Sequence, residues 1–82
     1  MPERDYRDAT ELFKASRYDD ALAKLTPIVA ADPAHWQAWQ IIGNCRNAKG
    51  DRAGALEAYR RSLELHPGNQ RLKAFVDKLG AP

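Results

Sequence analysis

Gly50-Asp51-Arg52-Ala53-Gly54-Ala55-Leu56-Glu57-Ala58-Tyr59-Arg60-Arg61-Ser62-Leu63-Glu64-Leu65-His66-Pro67 is the stretch whose reading decides the fold. Gly50 fits a helix stop and Asp51 fits the N-cap of the next helix, because a short carboxylate there satisfies backbone donors that the first turn leaves open. Leu56, Tyr59 and Leu63 then recur at i, i+3 and i+7, which is one face of a helix. The segment predicts a helix over about Arg52 to His66, broken by Pro67-Gly68. Upstream, a helix over about Ala34 to Lys49 presents Trp36, Trp39, Ile42, Gly43 and Cys45 on a broad face. Asp32-Pro33 separates it from a helix over Tyr18 to Ala31 with the stripe Tyr18, Ala21, Leu22, Leu25, Ile28 and Val29. Pro27 inside that helix lacks an N–H and is expected to kink it near Ala23–Thr26. Ser16 reads as its N-cap, with Asp19 three residues on in a capping-box-like arrangement. A first helix over about Glu3 to Ala15 has Tyr6, Ala9, Leu12 and Phe13 as its apolar stripe. Downstream, Asn69 caps a fifth helix over Gln70 to Leu79, with Leu72, Phe75, Val76 and Leu79 on one face, and Gly80-Ala81-Pro82 forms a tail.

Composition agrees with an all-α chain. Fourteen alanines stand against two valines, three isoleucines and two threonines, which favours helix over sheet. At 82 residues the chain builds one domain, and we expect residues 1–82 to form it. No apolar run approaches the ~20 residues of a membrane helix, and the charged N-terminus has no apolar region of a secretory signal. Cys45 is a lone cysteine and cannot form an internal disulfide; we expect a reducing, cytoplasmic setting. Residues 1–41 carry five bases and seven acids, net −2, whereas residues 42–82 carry eight bases and four acids, net +4. Such a dipole steers an acidic partner toward the C-terminal half.

The chain repeats itself at an offset of 34. Ala21-Leu22 returns as Ala55-Leu56, Pro33 as Pro67, and Ala9 falls on Gly43. A period of this length, built from paired helices, points to a solenoid of helix–turn–helix units. The second unit, about residues 36–69, reads Trp39-x2-Ile42-Gly43-x2-Arg46, then Ala55-x3-Tyr59, then Pro67. In this order the sequence resembles the tetratricopeptide repeat family, whose pattern is W-x2-L-G-x2-Y, A-x3-F, P. The first unit, about residues 2–35, keeps Tyr18, Ala21, Leu22, Leu25 and Pro33, but has Asp5 and Asp8 where the second has Trp39 and Ile42, which marks its first helix as a solvated cap. Arg46 stands where the family prefers an aromatic. Residues 70–79 resemble a truncated third repeat that caps the array. The resemblance implies antiparallel helix pairs stacked in a right-handed superhelical arc.

The resemblance also implies a function: family members bind an extended peptide or a partner helix in the concave groove lined by the first helix of each pair. Carried over by position, that groove is lined by Tyr6, Thr10 and Phe13, by Gln37, Gln40, Asn44 and Asn47, and by Arg71, Ala74 and Lys78. The four amides follow i, i+3, i+7 and i+10, one stripe of a helix. Each offers a donor and an acceptor, which suits the backbone of an extended peptide. Some relatives carry a carboxylate clamp for the C-termini of heat-shock chaperones. Thr10 and Ile41 replace its asparagines here and Arg71 alone fits, so no such clamp is expected. Two repeats and one helix lie near the minimum for a stable array, so the alternative is a homodimer joined through its edges, at Trp36, the first helix or the fifth.

Other chemistries find little footing. Cys45 sits on the packing side with no His or Asp placed to activate it. His35 and His66 fall in connections, and two histidines are too few for a metal site. Arg46, Lys49, Arg52, Arg60 and Arg61 are not interleaved with aromatics, so we expect no nucleic-acid binding. No phosphate loop, metal cluster or catalytic triad appears, and we expect a non-catalytic adaptor with no cofactor and no small-molecule substrate. The initial Met1 and the short closing helix lead us to expect a whole protein or an excised domain.

Overall fold

The computed structural model describes residues 2–80, and the expected tail at Ala81-Pro82 lies outside them. Five helices follow in order: α1 (Pro2–Lys14), α2 (Tyr18–Ala31), α3 (Trp36–Ala48), α4 (Arg52–Leu65) and α5 (Gln70–Leu79). There is no strand among the described residues. The helices pair as α1 with α2 and α3 with α4; α2 packs on α3 and α4 on α5, giving a one-dimensional stack. α1 also approaches α3 directly, whereas α2 and α4 do not meet, so α1 and α3 form the inner side of the arc.

The core follows the stack. Ala9, Ala21, Leu25, Ile28, Ala38, Ile42, Cys45 and Ala58 are buried together between the first two pairs. Ala55, Tyr59, Leu72 and Val76 form a second buried cluster where α5 closes on α4. Small residues dominate the first, so the backbones approach closely there, whereas Tyr59, Leu72 and Val76 fill the second. The expected face of α5 needs one correction: Phe75 is 41% exposed, and only Leu72 and Val76 are buried. α5 packs on α4 alone among the described helices, so the outer part of its apolar stripe has no neighbour.

The turns repeat as the sequence does, with one further correction. Ser16 is not the N-cap of α2. It ends α1 in the left-handed region at φ 62°, with its N–H bonded to Phe13 O and the Arg17 N–H bonded to Leu12 O. Gly50, 34 residues on, does the same at φ 87°, with N–H bonds from Gly50 to Asn47 O and from Asp51 to Arg46 O. Both are the paired closing bonds of a left-handed helix stop, in which glycine adopts the conformation freely and serine does not. Arg17 takes the N-cap position of α2 without a side-chain cap bond. The other caps are side-chain caps: His35 Nδ1, Asp51 Oδ1 and Asn69 Oδ1 accept from the N–H groups of Ala38, Gly54 and Leu72. α2 runs through Pro27 as one helix, and Thr26 Oγ1 donates to Leu22 O in the turn before it.

Candidate functional site

The inner face is where side chains from separate repeats meet. Tyr6, Arg7, Thr10 and Glu11 of α1 line an open hollow of about 470 Å³ together with His35 and Gln37 at the start of α3. Tyr6 leans on the His35 ring at 5.2 Å between centroids, and His35 is fixed because its Nδ1 caps α3. Thr10 Oγ1 donates to Tyr6 O of its own helix. Gln37 is exposed. Tyr6, Thr10 and Gln37, expected on the groove from their positions, therefore border one space. His35, Arg7 and Glu11 border it as well and were not anticipated. Hollows of similar size on other faces draw on different elements; one of about 560 Å³ is lined by Leu12, Ala23 and Pro27 within the α1–α2 hairpin.

The middle of the amide stripe has a second occupation. Tyr59 is buried between α3 and α4, and its hydroxyl donates to Asn44 Oδ1 at 2.6 Å. Gln40 Oε1 accepts from Asn69 Nδ2 at 3.3 Å, which ties α3 to the start of α5. These two amides brace the repeat from within, and Asn44 keeps its Nδ2 donors. Asn47 is half-buried, and its side chain makes no hydrogen bond among the described residues. Phe13 is turned into the α1–α2 corner, with its ring 5.6 Å from that of Tyr18 and packed on the core. On α5, Arg71, Ala74 and Lys78 are exposed.

Trp36 and Trp39 serve the joints between elements. Trp36 stacks on His66 at 4.1 Å and 8°, and its carbonyl accepts from the buried Ser62 hydroxyl. Trp39 Nε1 donates to Pro33 O, and the Arg61 guanidinium lies 5.6 Å over its ring. Arg46 uses its non-aromatic side chain to reach Gly54 O on α4. Cys45 is fully buried, and desolvation pushes its thiol up to about 11, against a smaller lowering by Lys49. A thiol that stays protonated at neutral pH is a packing group rather than a nucleophile.

Stacked helical hairpins with an inner face of exposed polar and aromatic side chains define a repeat scaffold of the kind that holds other proteins. The tetratricopeptide repeat model matches residues 6–70, and the chain belongs to that family. It is also similar to an Hsp70-Hsp90 organizing protein of Triticum aestivum, 36% identical over 63 residues, a match that covers 77% of this chain and 11% of the relative. The chain thus spans only a small part of that curated relative. Tetratricopeptide repeats are protein-interaction modules, which makes this chain one.

Proposed function

We propose that this module is a non-catalytic adaptor that holds an extended peptide segment or a partner helix along the face lined by α1, α3 and α5. The observation that carries the reading is the convergence of Tyr6, Thr10 and Gln37, from two repeats, on one open hollow. A ligand that spans such a space contacts both units at once and is read by an aromatic ring, a hydroxyl and an amide, which suits a polypeptide. The Hsp70-Hsp90 link in the relative's name does not carry over to a chaperone C-terminus here, because Thr10 and Ile41 replace the clamp asparagines. The partner is therefore read as a different polypeptide. The lone cysteine, Cys45, has no disulfide partner in the chain, which supports a reducing, cytoplasmic setting.

Partner capture with the wild-type chain and with a Gln37→Arg/Asn47→Arg variant tests this. Both positions are free of the core bonds made by Gln40 and Asn44. Specific proteins retained by the wild type and lost by the variant support the groove. Retention by both, with the variant still helical, removes it.

A further inference from the structure

Among the described residues the acids of the three ion pairs all lie between positions 11 and 20: Glu11 with Lys14, Asp20 with Arg17, and Asp19 with Lys49. α5 is different. It carries Arg71, Lys73 and Lys78 against Asp77 alone, and none of its bases has an ion-pair partner among the described residues. On the same helix Phe75 is 41% exposed. Its ring is nevertheless held: it meets the buried Tyr59 ring edge-on at 5.5 Å and 85°, and Tyr59 is fixed in turn by its bond to Asn44 on α3. Arg71, Phe75 and Lys78 follow i, i+4 and i+7 and so share one stripe of α5. The result is a fixed aromatic ring with an unpaired cation one turn to either side, joined to Asn44 of α3 through Tyr59.

We propose that the stripe Arg71–Phe75–Lys78 is the anchor subsite of the groove, and that its occupant is an acidic segment of another protein with an aromatic or aliphatic side chain set among its carboxylates. This rests on the groove reading above. Apolar surface of Phe75 is covered most favourably by an apolar side chain, and the flanking cations select for carboxylates on both sides of it. The ring is pre-positioned by Tyr59, so little ordering opposes binding. The charge lies along the stripe rather than at a closed pocket, so the segment needs no free terminal carboxylate.

Fluorescence anisotropy with a short peptide tests the assignment. The probe is N-acetylated and C-amidated, with Asp and Glu around one Leu and one Phe. Two matched controls replace its acids by Asn and Gln, or its apolar pair by Ser. The acidic apolar peptide is expected to bind better than either control, with affinity falling as salt rises. Arg71→Gln/Lys78→Gln is expected to weaken it about tenfold, as two exposed charge contacts would. Phe75→Ser is expected to weaken it comparably while melting curves show the helices intact. The proposal is overturned if the neutral control binds equally, if neither α5 variant changes affinity, if only a free C-terminal carboxylate supports binding, if an oligouridylate binds more tightly than the peptide, or if the acidic apolar peptide does not bind at all. Should Gln37→Arg/Asn47→Arg abolish partner capture while the α5 variants change nothing, the groove stands and this subsite falls. Should neither set of variants matter, both readings fall.

Discussion

The ring of Tyr59 occupies the space that a side chain on Gly43 would need. A Cβ at Gly43 would stand 2.5 Å from both Cδ1 and Cε1 of that ring. Gly43 and Tyr59 are therefore one fitted contact between α3 and α4. Gly43→Ala is expected to destabilise the fold by about 1–2 kcal/mol, because overpacking outweighs alanine's better helix propensity. Tyr59→Phe keeps the ring and removes only the bond to Asn44, at about 1 kcal/mol. In urea melts, Gly43→Ala combined with Tyr59→Leu should cost less than the sum of the two single changes, since the smaller side chain vacates the contested space. Strict additivity would show that the contact is not shared.

Ser16 and Gly50 hold the same turn 34 residues apart, and only one of them is a glycine. Ser16→Gly is expected to stabilise the chain by about 0.5–1 kcal/mol by removing the left-handed penalty of an L side chain. Gly50→Ala should destabilise it by about 1 kcal/mol from the backbone alone, as nothing lies within 4 Å of the added Cβ. Thermal melts of the two variants should move in opposite directions.

Alkaline pH should loosen the fold. Burial raises Cys45 from 9.0 to about 11. Burial, with the nearby Cys45 second, raises Tyr59 from 10.0 to about 12. Both groups are neutral when protonated, and the folded state holds their protons more tightly than the unfolded chain. The Cys45 contribution is thus complete below pH 9.0 and is lost as pH rises toward 11, at most about 2–3 kcal/mol. Denaturant midpoints from pH 8 upward should fall in the wild type, and fall less steeply in Cys45→Ala. Equal slopes in the two proteins would exclude the thiol as the cause.

Much of this fold was legible in the sequence because its punctuation is local. Asp51 and Asn69 cap where expected, and the bounds of α2 and α5 coincide with the periodic stripes. Ser16 was misread because serine suits an N-cap, whereas a left-handed stop is ordinarily marked by glycine, as at Gly50. The informative sign was its 34-residue correspondence with Gly50. Phe75 keeps the period of a core residue, but period cannot show whether a neighbouring helix covers it. Asn44 illustrates the limit for the candidate site. An amide on an inner stripe serves equally as a ligand donor or as a brace, and only the folded chain brings Tyr59, fifteen residues on, against it.

The central claim is that partners lie along the inner face, and site-specific photo-crosslinking tests it most directly. A photoreactive phenylalanine is placed at Gln37, on the hollow between α1 and α3, and in a separate variant at exposed Arg60 on α4. The account predicts covalent partner adducts from position 37 and none above background from position 60. Adducts from position 60 alone, or equally from both, would contradict it.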